Sequence, residues 1–292
     1  MSPAVSVIIP VYNRTKELRQ ALKSIARQTF ASYEVIIVDD GSTDNIEHEL
    51  LSLQMPRLRL LRHNKNRGAA AARNTGIAAA NGRWIAFLDS DDTWEPSKLA
   101  RQVEHLTKHA QFKACATGFR LHRPNGIVTL SPVSRPGQFC FDILLGCRIS
   151  PGSTLMVERS VFSEIGVFDE SMKRLEDWDW LIRYSSRYDI AFLEDALADI
   201  DQSRRDQRPS SLELDQVASS IKYMKTKHLA QIASRQWFAG AKFRSALCLE
   251  TAGSLYRRGE SWRALTYVVW ALCLYPIRNG SFIRSLWKAV SV

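Results

Sequence analysis

Short apolar segments alternate with segments of helical periodicity over the first third of the chain. Apolar runs that predict strands occupy residues 5–10, 34–38, 58–61 and 84–88. Helical spacing occupies residues 15–28, 50–53 and 69–80, and the last of these helices is alanine-rich and stops at Asn81-Gly82. This alternation favours a mostly parallel sheet covered by helices on both faces.

After about residue 112 the order of the predicted elements changes. Strands are predicted at residues 114–121, 127–130, 153–157 and 190–193, and the first two are joined by a turn at Asn125-Gly126. A short helix is predicted at residues 162–165 and a longer one at 177–187. The polar, basic segment 202–211 predicts a loop, and the chain from Leu212 onward predicts helix.

The charge of the chain is concentrated in its C-terminal part. The 292 residues carry a net charge of +10. Up to Arg204 the chain has 26 Lys and Arg against 25 Asp and Glu, and from Arg205 onward it has 14 against 5. Such asymmetry indicates an acidic partner, such as anionic lipid headgroups, a phosphorylated acceptor or nucleic acid. A solvated helical surface is the alternative.

The cysteines and the N-terminal residues favour a cytoplasmic protein. The cysteines are odd in number and scattered, and they form no Cys-x-x-Cys pair: Cys115, Cys140, Cys147, Cys248 and Cys273. This pattern favours reduced thiols and disfavours a zinc site. The first four residues lead directly into the first predicted strand without a long apolar run, so we expect no secretory signal.

Acidic clusters directly follow two of the predicted strands. Asp39 and Asp40 follow the second strand, and Asp89, Asp91 and Asp92 follow the fourth. Ligands of parallel α/β sheets bind outside the carboxyl ends of the strands, and clustered acids repel one another unless a cation or a hydrogen-bonding ligand lies among them. Oxygen ligands in this spacing suit Mg²⁺ or Mn²⁺. The alternative is that these side chains cap the following helices.

Several motifs occur in a fixed order along the chain. They are Val5-Ser-Val-Ile-Ile-Pro-Val-Tyr-Asn13, Val38-Asp-Asp-Gly-Ser-Thr-Asp44, Arg67-Gly-Ala-Ala-Ala-Ala-Arg-Asn-Thr-Gly-Ile77, Phe87-Leu-Asp-Ser-Asp-Asp-Thr-Trp-Glu-Pro96, Gly166-Val-Phe-Asp-Glu170 and Glu176-Asp-Trp-Asp179. Together they resemble a family 2 glycosyltransferase of the GT-A fold over residues 4–200. The resemblance implies a Rossmann-like, mostly parallel sheet flanked by helices in residues 1–204. A basic helical extension would occupy residues 205–292.

The resemblance implies a nucleoside-diphosphate sugar donor and assigns residues to it. Pro10, Tyr12 and Asp40 are similar to the family's nucleobase contacts, and a carboxylate can accept a hydrogen bond from a ring N–H. Arg67 and Arg73 precede the fourth strand and could approach the donor's phosphates or sugar. For Arg73 a plain helix-surface charge is the alternative.

The segment Asp89-Ser90-Asp91 resembles the family's Asp-x-Asp motif. The resemblance implies that Asp89 and Asp91 hold a Mn²⁺ or Mg²⁺ ion together with the ribose and diphosphate of the donor. Asp92 offers an alternate metal or water ligand, since this motif contains a third acid.

Asp177 resembles the family's catalytic base. With Glu176 it opens a predicted helix, whose N-terminus favours an ionised acid, whereas a neighbouring acid such as Glu176 or Asp179 would raise the pKa. The implied reaction is inverting. The metal neutralises the departing nucleoside diphosphate, and Asp177 takes a proton from the acceptor hydroxyl. The alternative is an ordinary acidic first turn in which Trp178 and Trp180 pack.

The C-terminal part predicts helices that could contact a membrane. Two similar helices include residues 243–247 and 262–265 and predict an antiparallel pair. The apolar segment 264–275 is shorter than the about 20 residues that span a bilayer, so it predicts a buried or an interfacial helix. Phe282, Leu286 and Val290 repeat at helical spacing beside Arg284 and Lys288, which is typical of binding to an anionic membrane surface. A homodimer contact is the competing interpretation.

The basic loop of residues 202–211 has two interpretations. Arg204, Arg205 or Arg208 could close over the diphosphate, or the loop is an ordinary linker.

Two other functions fit the sequence less well. A sugar-1-phosphate nucleotidyltransferase would need a glycine-rich loop after the first strand, where this chain has Pro10-Val-Tyr-Asn-Arg14 without any glycine. A nucleic-acid-binding protein using the basic tail would present acidic strand ends that repel phosphate. The resemblance implies a glycan or lipid-linked acceptor, and we expect no nucleic acid as partner.

Overall fold

The structure is a computed structural model that describes residues 2–51, 55, 57–124, 126–130, 134, 137–203, 211–236 and 238–276. The described residues fall into two compact units. The first lies within Met1–Cys140 and Cys147–Gln207, and the second within Phe141–Gly146 and Arg208–Val292. The proposed domain boundary at residues 204 and 205 falls outside the described residues and stays a prediction.

The first unit begins with the predicted alternation of strands and helices. Its first elements are β1 (Val5–Val11), α1 (Thr15–Ala26), β2 (Tyr33–Asp39), α2 (Ile46–Leu51), β3 (Leu58–Arg62), α3 (Ala69–Ala79) and β4 (Trp84–Phe87). Helix α1 forms because Leu18, Ala21, Leu22 and Ile25 share one face, and that face is buried in the core beside the sheet.

The rest of the first unit contains shorter elements. In chain order they are β5 (Thr93–Trp94), α4 (Lys98–Lys108), β6 (Ala114–Arg123), β7 (Gly126–Leu130), α5 (Phe139–Asp142), which continues into the second unit, then α6 (Pro151–Thr154), β8 (Met156–Glu158), α7 (Ser160–Ile165), α8 (Glu176–Ser185) and β9 (Ala191–Asp201). The hairpin of β6 and β7 is confirmed, with Arg123 opposite Gly126. Neither β5 nor α4 was predicted from the sequence.

Two predicted strands differ from the structure. The prediction of a strand from residue 153 was wrong, because Pro151 begins the single turn α6 and β8 starts only at Met156. Strand β9 extends well beyond the predicted residues 190–193. Thr117 pairs with Leu193 and Gly118 with Ala196, so the intervening acids of β9 form a bulge that interrupts the apolar pattern.

The sheet brings the carboxyl ends of its first four strands to one edge. Its order is β3-β2-β1-β4-β8-β6-β9-β5, and β7 pairs with β6. Strand β1 pairs in parallel with both β2 and β4, whereas β8 runs antiparallel to β4 and β6. The α/β fold class is therefore confirmed, with a parallel first half and a mixed second half.

The core of the first unit lies on both faces of this sheet. Alternate residues of β1 such as Val7 and Ile9 pack with α1 and α4. On the opposite face Ile8 meets α3, where a Cβ on Gly76 would come within 2.4 Å of the Ile8 Cγ2 atom. A glycine at this position therefore lets α3 approach the strand closely enough to position the residues that follow β1 and β4.

The second unit consists of helices α9 (Ser211–Arg235), α10 (Ala239–Arg257) and α11 (Ser261–Leu274), preceded in the chain by a short 3₁₀ turn (Ile143–Leu145). The Ser245 hydroxyl near the start of α10 donates to the Ala271 carbonyl near the end of α11, at 2.8 Å. The predicted antiparallel pair is therefore confirmed. The predicted helix around residues 282–290 lies outside the described residues.

Helix α11 has one buried face and one exposed apolar face. Ala264, Val268 and Ala271 are buried, and the first two cluster with Ala252 of α10. The opposite side exposes large apolar residues, namely Trp262 at 82%, Leu265 at 48%, Val269 at 48% and Trp270 at 60%. None of the described helices combines the length and the apolar character that a membrane span needs.

Candidate active site

The carboxyl ends of β1, β2 and β4 place three of the motifs side by side. Val11 at the end of β1 pairs with Asp39 at the end of β2, and the Leu88 N–H after β4 donates to the Ile8 carbonyl. Tyr12 follows β1 and is 45% exposed, whereas Pro10 is partly buried. The edge of the sheet therefore carries residues from the nucleobase and metal predictions together.

Asp40 points into the protein and not into open solvent. Its carboxylate accepts hydrogen bonds from the backbone N–H groups of Arg67 and Gly68, at 2.9 and 2.7 Å. It also pairs with the His63 ring at 2.6 Å, and that ring reaches Thr75 through its other nitrogen. Asp40 thus holds the loop before α3, and its predicted nucleobase contact would have to share these oxygens. That contact stays a prediction.

Arg73 joins the two acidic motifs. Its guanidinium donates to Asp89 Oδ1 at 2.7 Å and to Glu176 Oε1 at 2.8 Å, and its side chain is only 8% exposed. Burial acts to lower the pKa of Arg73, but Asp89 and Glu176 outweigh it and hold the pKa above its ordinary value. Its Nε is a buried nitrogen with no hydrogen-bond partner among the described residues. Arg73 is therefore not a helix-surface charge.

Asp177 lies beside this bridge. Its Oδ1 accepts a hydrogen bond from the Trp178 N–H at 2.7 Å, and the Cys147 thiol donates to its Oδ2 at 3.9 Å. Burial, followed by the charge of Glu176, raises the pKa of Asp177 to about 6, although Arg73 opposes the shift. A carboxyl group with this pKa is mostly ionised at neutral pH and can still accept a proton.

The two predicted metal ligands are partly exposed and paired with arginines. Side-chain exposure is 37% for Asp89 and 27% for Asp91. Asp91 forms an ion pair with Arg14, a residue that sequence analysis did not select although it directly follows the first motif. Burial and the charge of Asp89 raise the pKa of Asp91, whereas Arg14 lowers it. Both carboxylates are partly exposed, so a ligand can reach them, although each is already paired with an arginine.

The other residues of the Asp-x-Asp segment are buried. Ser90 is 5% exposed and Asp92 is 4% exposed. Asp92 Oδ1 accepts from the Asp201 N–H at 3.0 Å, and its Oδ2 accepts from the Ser153 hydroxyl. Burial, followed by the charge of Asp89, raises the pKa of Asp92 to about 8. The predicted role of Asp92 as an alternate ligand would break two hydrogen bonds, and it stays a prediction.

The segment Gly166–Glu170 forms hydrogen bonds with Asn74 and Arg67 that were not predicted from the sequence. Asn74 donates to the Phe168 carbonyl at 2.9 Å and accepts from the Phe168 N–H at 3.0 Å. Glu170 in turn accepts hydrogen bonds from Arg67, at 2.8 Å, and from Asn74, at 3.0 Å. Glu170 therefore holds Arg67 at the rim of the site. Asn74 belongs to one of the sequence motifs, but no role was predicted for it. Arg204 and Arg208 lie outside the described residues.

The donor set fits Mg²⁺ or Mn²⁺ bound together with a phosphorylated ligand. No group of three or more His, Cys, Asp or Glu side chains in the described ranges is arranged as a metal site. Asp89 and Asp91 supply two hard carboxylate groups, and these cations commonly complete their coordination with water and substrate phosphates. Such a pair of carboxylates suits a cation that binds together with the substrate. It is less suited to a cation that protein ligands alone would hold.

The chain belongs to glycosyltransferase family 2. The profile described as "Glycosyl transferase family 2" matches residues 6–165, more than half of the chain. This span contains Asp40, Arg73 and the segment Asp89–Asp92, and it ends before Asp177.

Curated relatives match part of the chain. An uncharacterized glycosyltransferase of Rickettsia prowazekii is 33% identical over 196 residues, which cover 64% of this chain and 61% of that protein. The UDP-Glc:alpha-D-GlcNAc-diphosphoundecaprenol beta-1,3-glucosyltransferase WfgD of Escherichia coli is 41% identical over 105 residues, which cover 36% of this chain and 42% of that protein. The matched regions therefore span less than two thirds of either relative.

Solved structures share the fold at low identity. S. aureus TarS 1–349 in complex with UDP has a TM-score of 0.57 and 21% identity, and the match covers 92% of this chain and 90% of that chain. Mannosyltransferase PcManGT from Pyrobaculum calidifontis, in complex with GDP-Man and Mn²⁺, has a TM-score of 0.57 and 20% identity, with coverage of 100% and 80%. The likeness shows that this chain has the GT-A fold.

Proposed function

We propose that this chain is a metal-dependent, inverting glycosyltransferase that moves a sugar from a nucleoside-diphosphate donor to an acceptor hydroxyl. The observation that carries the proposal is the single guanidinium of Arg73, which links Asp89 of the donor motif to Glu176 beside Asp177. The link keeps the leaving-group side and the base side of the reaction in one cluster. Membership of family 2 and the GT-A fold support the same reaction class.

Asp89 and Asp91 would hold Mn²⁺ or Mg²⁺ against the donor's diphosphate. When bound, the cation supplies positive charge for the departing nucleoside diphosphate. The side chains of this chain do the rest of the positioning. Arg73 orients Asp89 through one hydrogen bond, and Arg14 is the counter-charge of Asp91 that the cation replaces.

Asp177 would take the proton from the attacking hydroxyl. Its raised pKa of about 6 makes it a stronger base than an ordinary aspartate while it stays ionised at neutral pH. Asp177→Asn should therefore bind donor normally and lose transfer. A variant that transfers sugar at the wild-type rate would refute the assignment of the base.

The donor and acceptor classes are supported by the relatives. The named activity of WfgD uses UDP-Glc and a diphosphoundecaprenol-linked acceptor, and the fold neighbours bind UDP and GDP-Man. We infer a UDP or GDP sugar donor and a glycan or lipid-linked acceptor in polysaccharide assembly. Thermal stabilisation by UDP or GDP with Mn²⁺, and not by oligonucleotides, is the expected result. Stabilisation by oligonucleotides alone would favour the nucleic-acid rival. A hydrolysis screen over nucleotide sugars then identifies the donor.

The exposed face of α11 would lie on an anionic membrane surface. Trp262 and Trp270 are exposed, the helix contains no acidic residue, and the part of the chain from residue 205 carries a net charge of +9. Wild-type protein should float with phosphatidylglycerol vesicles at low salt, and the double variant Trp262→Ser, Trp270→Ser should not. Equal flotation of both proteins contradicts the assignment. A shift from dimer to monomer in the variant, without any flotation of the wild type, indicates the dimer interpretation.

A further inference from the structure

The single-turn helix α6 lies directly against the Asp-x-Asp segment. Ser150 precedes it with φ of 47°, a left-handed conformation that few non-glycine residues adopt, and Pro151 then begins the turn. Both Gly152 and Ser153 approach Asp89, and Ser153 is completely buried. None of these residues was selected by sequence analysis, which assigned a strand from residue 153.

Gly152 faces the carboxylate of Asp89 with the side on which other residues carry a Cβ. A Cβ at this position would lie 2.4 Å from Asp89 Oδ2 and 2.8 Å from Asp89 Cγ, closer than real Cβ atoms come to other atoms. The Oδ1 atom of this carboxylate accepts the 2.7 Å hydrogen bond from Arg73, so a shift of the carboxylate would disturb that bond. Any larger residue would therefore force the Asp89 carboxylate to shift and would strain its bond to Arg73.

Ser153 fixes the backbone of the same segment. Its hydroxyl accepts the Asp89 N–H at 3.1 Å and donates to Asp92 Oδ2. The Ser153 carbonyl accepts the Trp94 indole N–H at 2.7 Å, so the turn is anchored from behind as well. Asp92 carries the contact on to the Asp201 N–H at the end of β9. One hydroxyl thus holds two of the three acids of the motif.

We propose that Gly152 and Ser153 are positioning residues for the donor-metal site: Gly152 leaves the space that the Asp89 carboxylate occupies, and Ser153 fixes the loop that carries Asp89 and Asp91. The proposal rests on the proposed function, since it concerns the same cation. Groups outside the coordination shell orient the ligands, and their loss typically weakens metal affinity about 10–100-fold. The effect on Mn²⁺ binding should exceed any effect on the fold.

The test is a titration of Mn²⁺ in the presence of UDP, followed by the electron paramagnetic resonance signal of free Mn²⁺. Gly152→Ala should bind Mn²⁺ about 10–100-fold more weakly than the wild type. Its transfer rate should recover at saturating Mn²⁺. Gly253→Ala is the matched control, because this helical glycine meets only the flexible end of Arg257, at 3.5 Å. The control should bind Mn²⁺ like the wild type.

Ser153→Ala tests the second residue without adding volume, and it decides the matter if Gly152→Ala does not fold. Melting temperatures measured without metal identify folded variants. Wild-type Mn²⁺ affinity in folded Gly152→Ala and Ser153→Ala would overturn the inference while leaving the proposed function intact. A wild-type protein that binds no Mn²⁺ with UDP would instead refute the metal-dependent function itself.

Discussion

Replacing Asp177 by asparagine should stabilise the fold at neutral pH while it removes transfer. The pKa of Asp177 rises from 3.8 to about 6, chiefly because of burial and then because of Glu176. At 1.36 kcal/mol per pKa unit, ionised Asp177 costs the folded state up to about 3 kcal/mol. An asparagine oxygen can still accept the hydrogen bond from the Trp178 N–H. The substitution therefore removes the cost and retains the contact.

The sign of this effect depends on pH. Because the folded pKa is raised, the wild type loses stability as pH rises from about 4 through 6, and the loss is complete above about 7. Urea unfolding followed by tryptophan fluorescence should give Asp177→Asn an advantage at pH 7.5 that disappears near pH 4. Asp195→Asn, at an exposed acid paired with Arg101, is the control and should show no such gain. A less stable Asp177→Asn at pH 7.5, or an advantage independent of pH, would refute the reasoning.

Further predictions concern three other side chains. Arg73→Met should lower the free energy of unfolding. Because Asp89 is partly exposed, the loss should be smaller than the about 3–5 kcal/mol that follows when a fully buried ion pair is broken. The same variant should bind UDP more weakly, as measured by calorimetry. Lys98 is fully buried with its pKa lowered to about 7, so wild-type stability should rise between pH 7 and 10. Lys98→Met should lack that rise in urea unfolding. Asn74→Ala removes two hydrogen bonds to the backbone of Phe168 and should lower the melting temperature, whereas Asn64→Ala on an exposed bend should not.

The first half of the sheet and the grouping of acids at its edge could be predicted from the sequence. Each of the two acidic segments, Asp39-Asp40 and the segment that begins at Asp89, directly follows an apolar strand in the sequence. The parallel pairing of β1 with β2 and β4 then places these two segments side by side. This inference needs only the local pattern and the general geometry of α/β sheets.

The partners of the acids could not be predicted in the same way. Arg73 meets Glu176 across 103 positions of the sequence, and Asp92 meets Asp201 across 109. These contacts depend on how α8 and β9 pack, for which the sequence offers only a charge and a spacing. The bulge in β9 concealed the length of that strand, because Glu194 and Asp195 interrupt the apolar run of residues 191–198.

The charges of the site support the proposed divalent cation. Burial raises the pKa of Asp92 to about 8, which favours its neutral form at neutral pH. The remaining acids of the cluster are opposed by the guanidinium groups of two arginines; these acids are Asp89, Asp91, Glu176 and Asp177, and the arginines are Arg14 and Arg73. The described cluster thus has two more negative charges than positive ones, and one Mg²⁺ or Mn²⁺ ion would balance it.

A bound donor adds the charge of its diphosphate to this balance. The proposed cation would offset the excess negative charge of the protein, so the diphosphate would need a further positive group if the site is to stay near neutrality. Arg14 would become available for that role if the proposed cation binds Asp91, since the two cannot occupy the same carboxylate oxygen. If the proposed function holds, the ion pair of Arg14 with Asp91 would therefore supply both a ligand for the cation and a counter-charge for the donor.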